Sequence, residues 1–240
     1  MARFFITGCP QGQTVIGGED GRHIARSLRM RPGEKLTLCN GDGDDFLCEI
    51  TDISGDNVTL DILERRDSVG EPSVQVTVYQ GLPKSDKMDW IAQKSVEAGV
   101  TRLVPMMTAR CVSRPDSKSA GKKRDRWQKI AEEAAKQCGR GRLPEVAMLM
   151  DFSDAVKEAA ERGEIIFFYE GGGTSLRQLV SDDTKQVSIF IGPEGGFAEE
   201  EVALAKSYGA KIGSLGTRIF RTETAATAAL AAIMALTGNM

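Results

Sequence analysis

The sequence predicts an α/β protein whose parallel sheet follows a small β-rich domain, and three observations carry this prediction. After residue 72, apolar strand-like runs alternate with helical patterns, which indicates a mostly parallel sheet with helices on both faces. Before it, apolar and polar residues alternate with period two around glycine-rich turns, as in antiparallel strands. Near residues 192 and 216, two strand-like runs stop at glycine and a helix follows, and open α/β sheets bind ligands at such strand ends.

The first seventy residues predict a small β-barrel-like domain, residues 1–70. Strand patterns at 35–39 and 46–50 flank Asn40-Gly41-Asp42-Gly43-Asp44, which is typical of a hairpin turn. A third strand is expected at 58–63 and a short helix at about 20–29. The acidic turn lacks the ligand spacing of a calcium loop, so we interpret it as a plain hairpin.

A linker near residues 67–72 leads into the predicted second domain, residues 71–240. The expected strands are 73–80, 102–107, 145–148, 164–169, 187–191 and 211–215. The expected helices are 84–98, 121–138, 153–162, 175–180, 199–208 and 222–236.

The composition favours a reduced cytoplasmic protein without a metal site. The 240 residues include five scattered cysteines that form no C-x-x-C pair and only one histidine. The longest uncharged apolar run lies within residues 225–236, too short to span a bilayer, and the N-terminus has too short an apolar stretch for a signal peptide. We therefore expect no metal, no membrane partner and a cytoplasmic location.

Charge is distributed unevenly along the chain. Residues 84–142 carry 15 Lys and Arg against 7 Asp and Glu, whereas residues 1–70 carry 8 against 12 and residues 143–240 carry 8 against 14. A basic segment between acidic ones is typical of a face that meets a polyanion. A solvated helix surface accounts for it equally well, and composition leaves both interpretations open.

Two common nucleotide-binding motifs are missing. The glycine run Gly171-Gly172-Gly173-Thr174-Ser175-Leu176 fits neither the G-x-G-x-x-G fingerprint nor the phosphate loop, which needs a Gly-Lys-Ser/Thr end. Hydride transfer and nucleotide hydrolysis therefore lack their usual machinery. The more specific feature is the pair of loops after the last two predicted strands, where glycines allow backbone groups to approach a ligand closely.

Those two loops carry a family resemblance. The segments Ile191-Gly192-Pro193-Glu194-Gly195-Gly196-Phe197 and Leu215-Gly216-Thr217-Arg218-Ile219-Phe220-Arg221-Thr222-Glu223-Thr224-Ala225 resemble the signature of the RsmE family, the small-subunit (16S) ribosomal RNA uridine-N3 methyltransferases of the SPOUT superfamily. Segments 82–90 with 93–94 and 97–100, 126–130 with 133–140, and 23–29 are similar to further parts of the family pattern. Thr217, Phe220 and Lys136 depart from its common residues, which leaves the side-chain contacts of the second loop open.

The resemblance implies a C-terminal SPOUT-type α/β domain with a deep trefoil knot and an N-terminal PUA-like RNA-binding β-barrel. It implies S-adenosylmethionine as methyl donor, a homodimer, and small-subunit ribosomal RNA or the 30S particle as partner. For methylation of uridine N3, we predict that Arg221 and Glu223 are catalytic, Arg221 by stabilising negative charge on the uracil oxygens and Glu223 by accepting the N3 proton. The expected cofactor-binding residues are Tyr169, Glu170, Gly171, Ile191, Gly192, Pro193, Glu194, Gly195, Gly196, Leu215, Gly216, Arg218, Ile219, Phe220, Thr224 and Ala225. The expected RNA-binding residues are Arg22, His23, Arg26, Arg29, Lys84, Lys87, Lys122, Lys123, Arg124 and Arg140.

Alternatives stay open at this point. Glu223 can be a first-turn acid favoured by the helix dipole, with Thr222 as N-cap. Arg218 and Arg221 can be ordinary surface charges. Methylation of another RNA base or of a ribose 2′-hydroxyl, or a catalytically silent RNA-binding ribosome assembly factor, would also fit the fold.

Overall fold

A computed structural model describes all residues, 1–240. The chain forms two compact units, the first containing Met1–Glu71 with Ala135–Leu143 and the second containing Pro72–Ala134 with Pro144–Met240. None of the helices combines the length and apolar character that a membrane crossing requires.

The first unit contains a five-stranded sheet with strand order β1-β3-β4-β5-β2. Its strands are β1 (Arg3–Phe5), β2 (Gln13–Ile16), β3 (Lys35–Cys39), β4 (Asp44–Ser54) and β5 (Asn57–Asp67). The predicted hairpin is confirmed, since β3 pairs antiparallel with β4 and the turn between them spans residues 40–43. The short strands β1 and β2 were not predicted, because each buries a single apolar side chain and shows no periodic pattern.

The predicted helix at 20–29 is two short pieces, α1 (Gly18–Arg22) and a π-helical turn at His23–Ser27. A Cβ atom at Gly21 would lie 2.0 Å from the Asp56 carbonyl oxygen, so only glycine lets α1 approach the β4–β5 turn this closely. The core beneath consists of fully or nearly fully buried apolar side chains from these elements: Phe4, Ile24, Leu36, Leu38, Phe46, Cys48, Ile50, Val58 and Leu60.

Two buried ion pairs hold the first unit together. Asp45 is fully buried, and it accepts hydrogen bonds from Arg3 at 2.7 Å and from the Ser68 hydroxyl at 2.5 Å. Burial by itself raises the pKa of Asp45, but the hydrogen bonds from Arg3 and Ser68 outweigh it and the net pKa is lowered. Glu71 pairs with Arg140 at 2.8 Å and accepts hydrogen bonds from the N–H groups of Gly141 and Arg142, which anchors residues 140–142.

The second unit contains an eight-stranded sheet in which every pairing is parallel, so the predicted α/β class is confirmed. The strand order is β11-β13-β10-β12-β6-β7-β8, and β9 also pairs with β7. The strands are β6 (Gln75–Gly81), β7 (Arg102–Met107), β8 (Glu145–Val146), β9 (Met150–Asp151), β10 (Ile165–Phe168), β11 (Thr174–Ser175), β12 (Gln186–Ile191) and β13 (Lys211–Ser214). The strand predicted at 145–148 is only the two residues of β8, and β9 and β11 were not predicted.

Six helices accompany this sheet: α2 (Lys87–Glu97), α3 (Ser117–Cys138), α4 (Phe152–Arg162), α5 (Leu176–Leu179), α6 (Glu199–Ser207) and α7 (Thr222–Leu236). Two of them begin three or four residues away from the predicted position. The helix expected from 84 begins at Lys87, because Ser85 has a positive φ of 55° that a helix does not allow. The helix expected from 121 begins at Ser117, because the Asp116 carboxylate accepts a hydrogen bond from the Ser119 N–H at 2.7 Å.

An aromatic stack forms the centre of the second unit. Tyr79 and Phe190 lie parallel with ring centroids 4.5 Å apart, and Phe167 stacks on Phe190 at 5.7 Å. Helices α4 and α6 contribute to the same buried cluster, while α7 packs against β6, β12 and α2. The alternate side chains Val76 and Val78 of β6 are also fully buried, so both faces of that central strand are covered.

Candidate methyl-donor site

A cleft of about 460 Å³ lies at one edge of the parallel sheet. The strands β13, β10 and β12 are parallel neighbours, so the loops that follow their carboxyl ends meet at that edge. These three loops, extended into the ends of their strands and into α7, supply every lining residue except Lys87. The size is within the usual range for a small-molecule or cofactor pocket.

The loop after β12 is fixed at both ends. Pro193 lies so close to β6 that a Cβ atom at Gly81 would meet its Cδ at 2.5 Å. At the other end, Phe197 is fully buried and its ring centroid lies 4.2 Å from that of Phe167. Between these anchors, Gly196 has a φ of +65° and donates a hydrogen bond to the Pro193 carbonyl at 2.9 Å. The loop is therefore a rigid wall made largely of main chain.

The loop after β13 leaves open space on the cleft side. Gly216 has a φ of +106°, and a Cβ atom there would meet nothing within 4 Å. Its N–H donates to the Ser214 hydroxyl at 3.1 Å, which holds this unusual turn in place. A bulkier residue would cost conformational strain and would fill space that a ligand can use.

Thr222 ties the two loops together. Its hydroxyl donates a hydrogen bond of 2.6 Å to the Gly192 carbonyl, and the fully buried Gln80 donates through Nε2 to the same hydroxyl at 2.9 Å. The N-cap of α7 is Arg221, which makes no side-chain capping bond, so the alternative reading of Thr222 as N-cap is wrong. The hydroxyl fastens one cleft wall to the other.

Lys87 joins two acidic residues from different loops. Its ammonium group lies 2.9 Å from Glu194 Oε1 and 3.2 Å from Glu223 Oε2. The pKa of Lys87 is raised, chiefly by the hydrogen bond to Glu194. Burial by itself raises the pKa of Glu194, but hydrogen bonds from Lys87 and from backbone N–H groups, including that of Lys84, outweigh it and the net pKa is lowered. A single lysine therefore engages two of the carboxylates beside the cleft.

Most of the predicted cofactor residues line this cleft: Tyr169, Glu170, Ile191, Gly192, Pro193, Glu194, Gly196, Leu215, Gly216, Arg218, Ile219, Phe220 and Ala225. Gly171, Gly195 and Thr224 do not line it. A Cβ atom at Gly171 would meet the Tyr169 ring at 2.5 Å, and one at Gly195 would lie 3.1 Å from the Arg110 side chain, so both glycines pack against neighbours outside the cleft lining. Thr224 is exposed on α7.

Sequence reasoning missed eight lining residues or gave them no place in the cleft: Lys87, Phe168, Gly172, Phe197, Gly213, Ser214, Thr217 and Thr222. Three of these, Phe168, Gly213 and Ser214, are the last residues of β10 and β13. The carboxyl ends of those strands form the floor of the cleft. Extending each predicted loop back into the preceding strand would therefore have identified these three residues.

The two predicted catalytic residues are placed differently. Arg221 lines the cleft, is exposed, and has no carboxylate within 4.0 Å. Glu223 lies in the first turn of α7, does not line the cleft and faces Lys87. Its Oε2 atom is buried and has no hydrogen bond of good geometry.

The predicted RNA-binding residues of the first unit vary in their availability. Arg22 and Arg26 both pair with Asp56, at 3.3 and 2.9 Å, and keep exposed side chains. His23 packs edge-on against Phe4 with centroids 6.1 Å apart. Arg29 is exposed and has a positive φ of 53°. Arg140 is only 4% exposed and pairs with Glu71, so the structure places its charge inside the first unit instead of on an RNA-facing surface.

In the second unit, Lys84 and Lys122 are exposed and Lys123 is half-buried. Arg124 donates through Nε to the Val146 carbonyl at 3.1 Å and pairs with Asp125 at 3.0 Å. Its guanidinium therefore fastens α3 to β8. No group of three or more His, Cys, Asp or Glu side chains is arranged to hold a metal ion.

Comparison with known proteins gives a consistent result. Residues 70–234 match the family described as the RNA methyltransferase domain, and residues 16–63 match the RNA methyltransferase PUA domain. The ribosomal RNA small subunit methyltransferase E of Bacillus subtilis is 38% identical over 226 residues, covering 91% of this chain and 88% of the relative. The chain belongs to the ribosomal RNA small subunit methyltransferase E family. The resemblance carried by the two glycine loops is therefore confirmed.

Solved structures of this family have the same fold. The ribosomal RNA small subunit methyltransferase E from Neisseria gonorrhoeae, bound to S-adenosyl methionine, is 31% identical with a TM-score of 0.90 and 98% coverage of both chains. A methyltransferase from Legionella pneumophila in complex with the same cofactor is 33% identical, with a TM-score of 0.88 and coverage of 98% of this chain and 97% of that one.

Proposed function

We propose that this protein transfers the methyl group of S-adenosylmethionine to N3 of a uridine in small-subunit ribosomal RNA. The observation that carries the proposal is the cleft at the carboxyl ends of β13, β10 and β12, walled by loops that expose main chain. Family membership supports it, because relatives of similar length are named for ribosomal RNA methylation and two similar structures hold the donor.

The cleft residues fit such a donor. The backbone amide and carbonyl groups of the two glycine loops provide donors and acceptors for an adenine edge. Gly172 and Gly216 both have positive φ values and empty space where a Cβ atom would stand, so ligand atoms can approach the chain closely. Phe168, Ile191 and Leu215 supply apolar surface for the flat face of a base.

Catalysis depends on this chain's own groups. The bound donor supplies a methyl carbon on a positively charged sulfur, which needs no further activation. The uridine N3 carries a proton at neutral pH, so the protein must hold N3 in line with the methyl carbon and ease the loss of that proton. We assign the second task to Arg221, whose exposed guanidinium at the cleft can stabilise negative charge developing on the uracil oxygens.

Glu223 is the proposed proton acceptor, directly or through a water molecule. The Lys87 ammonium engages this carboxylate at 3.2 Å, and Glu223 does not line the cleft. We therefore assign Glu223 a smaller share of the rate than Arg221.

The proposal extends to the whole chain. We propose that residues 1–70 form a PUA-like RNA-binding domain, that residues 71–240 form a SPOUT-type domain with a trefoil knot, and that the enzyme works as a homodimer in the cytoplasm. Ribosomal RNA, free or in the 30S particle, is the proposed partner. The first unit's match to a PUA domain found in RNA methyltransferases supports an RNA substrate.

Nucleoside mass spectrometry of small-subunit ribosomal RNA tests the proposal. RNA from a strain lacking the gene is compared with RNA from the same strain complemented with the wild-type gene or with the Arg221→Ala variant. The expected result is N3-methyluridine only with the wild-type gene. A new 2′-O-methyl nucleoside or another methylated base would overturn the assignment to N3, and no new methylated nucleoside at all would favour the silent assembly factor.

A further inference from the structure

The arginines of the second unit that lie at one edge of the sheet are paired with carboxylates, and those at the other edge are not. At the amino ends of the strands, Arg102 bonds Glu145 and Glu158, Arg162 bonds Glu158, and Lys211 bonds Glu164. These charges are neutralised within the protein. An anionic macromolecule gains little from approaching that edge.

The carboxyl edge differs. Five arginines of the second unit have no carboxylate within 4.0 Å, and each follows the carboxyl end of a strand: Arg110, Arg114, Arg177, Arg218 and Arg221. Of the acidic groups there, Glu194 and Glu223 are engaged by Lys87, and Asp116 accepts from the Ser119 N–H. Glu170, Glu199 and Glu200 are exposed at the same edge. Unpaired guanidinium groups gathered at one edge are typical of a phosphate-binding surface.

Arg110 and Arg114 belong to a loop inside the basic segment 84–142, but neither is among the residues predicted to bind RNA. This loop, residues 108–116, joins β7 to α3. Because β7 is separated from β12 only by β6 and all three are parallel, the loop shares the edge with the donor cleft. Val112 within it is 67% exposed, which adds an apolar contact surface between the two arginines.

The loop is built into the wall of the cleft. Arg110 donates through Nη1 to the Gly195 carbonyl at 2.8 Å. Glu201 accepts hydrogen bonds from the N–H groups of Ala109 and Ala198, both at 2.8 Å, and so fastens the loop to the start of α6. Arg114 donates to the Ala109 carbonyl at 3.2 Å. Each guanidinium uses one N–H group in these contacts, so the others remain for a ligand.

We infer that residues 108–116 form an arm of the RNA-binding surface on which Arg110 and Arg114 contact backbone phosphates beside the methylated nucleotide. This rests on the proposed function for the identity of the polyanion. The arm holds the strand next to the donor cleft, because its own anchor, Gly195, is part of the loop that forms the cleft wall. Arg110 and Arg114 are positioning residues, since they hold the RNA and do not touch the reacting atoms.

The test compares three variants: Arg114→Ala, the double variant Arg110→Ala/Arg114→Ala, and the matched control Lys185→Ala. Lys185 is exposed and immediately precedes β12 at the amino edge of the same sheet. The probe is a fluorescein-labelled single-stranded oligouridine, whose dissociation constant is measured by anisotropy at several salt concentrations. Calorimetry measures donor affinity, and circular dichroism checks folding.

Each phosphate contact contributes about 0.7 to the slope of log K against log salt for single strands. We expect the double variant to lose about 1.4 from that slope and to bind RNA on the order of tenfold more weakly, two contacts being removed. Arg114→Ala should show about half of this change in slope, and its donor affinity should be unchanged. Lys185→Ala should behave as wild type.

The inference is overturned if Arg114→Ala and the double variant bind RNA with the same dissociation constant and the same salt slope as Lys185→Ala. Methyl transfer from radiolabelled donor to small-subunit ribosomal RNA by the wild-type protein separates this from the proposed function. If the wild-type protein transfers methyl groups and the variants bind RNA as tightly as wild type, the RNA-binding role of residues 108–116 is refuted and the proposed function stands. Weakened RNA binding in the variants without any transfer by wild type refutes the proposed reaction and leaves the arm standing.

Discussion

Lys87 Nζ lies 3.2 Å from Glu223 Oε2 and 2.9 Å from Glu194 Oε1, and so connects the helix after one cleft loop with the other cleft loop. Lys87 begins α2, Glu194 follows β12 and Glu223 lies in the first turn of α7. Without the ammonium group, two carboxylates would face each other at the rim. The ion pairs thus keep the cleft in one arrangement before any ligand binds.

Replacing Lys87 with methionine should weaken donor binding by about fivefold, since half-exposed ion pairs are worth about 1 kcal/mol together. Lys87→Arg should keep most of the affinity because it keeps the charge. Lys94→Met is the matched control, as Lys94 lies on the same helix and pairs with Glu97 at 2.8 Å away from the cleft. Calorimetric titration with S-adenosylmethionine checks this, and equal affinities in Lys87→Met and Lys94→Met would contradict it.

Asp45 predicts an acid-dependent loss of stability. Its pKa is lowered in the folded protein, with the hydrogen bonds from Arg3 and Ser68 outweighing the effect of burial. A carboxylate with a lowered folded pKa stabilises the protein at pH values above its unfolded pKa of about 3.9 and loses that contribution as pH falls through the folded pKa. The thermal midpoint difference between wild type and Asp45→Asn should therefore be largest near pH 7 and shrink below about pH 4.

Circular dichroism melts between pH 3 and pH 7 measure this difference. Asp154→Asn, an exposed carboxylate on α4, serves as the control with little change at any pH. If Asp45→Asn fails to fold, Ser68→Ala removes one of the same hydrogen bonds and should show the same trend at smaller size. A difference independent of pH would show that the charge of Asp45 contributes nothing.

Gly216 should be required for donor binding because of its backbone geometry. Valine there would adopt a φ near +106° at a cost of about 1–2 kcal/mol and would project into the open cleft. We expect Gly216→Val to lose measurable donor binding while its circular dichroism spectrum stays that of wild type. Gly209→Val is the control, because Gly209 has a φ of +84° with empty space around it but lies between α6 and β13, outside the cleft.

If Gly209→Val weakens donor binding as much as Gly216→Val does, backbone strain and not the position in the cleft is the cause. If neither variant weakens it, Gly216 is not required. Gly195→Val should have a smaller effect than Gly216→Val, since Gly195 packs against Arg110 and does not line the cleft.

The fold and the site's position were predictable because they follow from local patterns. Strand β7 and helix α7 have the predicted bounds, and the glycines after β12 and β13 mark both cleft loops. Side-chain partners were not predictable in the same way. Arg140 bonds Glu71, which is 69 positions away in the sequence, and Arg124 bonds the Val146 carbonyl, which is 22 positions away. A count of charges along the chain treats both arginines as available for RNA, although the fold engages them in internal contacts.

The lysines of α3 test whether the basic segment binds RNA. Since Arg124 is engaged by Val146 and Asp125, the informative variant is Lys122→Ala/Lys123→Ala. If both lysines contact phosphates, the salt slope for single-stranded RNA should become shallower by about 1.4 with donor affinity unchanged. Lys157→Ala on α4 provides a control of the same charge type. A slope equal to that of the control would mean that these lysines only solvate the helix.

Arg221 and Glu223 divide the chemistry, and their variants should separate under single-turnover conditions. Arg221→Ala should lower the rate of methyl transfer strongly, on the order of a hundredfold, because removing one group that stabilises transition-state charge costs about that much. Its donor affinity should stay near wild type, since Arg221 is exposed at the cleft and its side chain anchors no loop. Glu223→Gln should lose less and should recover as pH rises, because hydroxide can remove the N3 proton in place of the carboxylate. Rates measured between pH 6 and pH 10 with saturating donor decide both roles. Wild-type turnover in Arg221→Ala would remove it from the mechanism, and a Glu223→Gln profile parallel to wild type would mean that Glu223 serves only as the partner of Lys87.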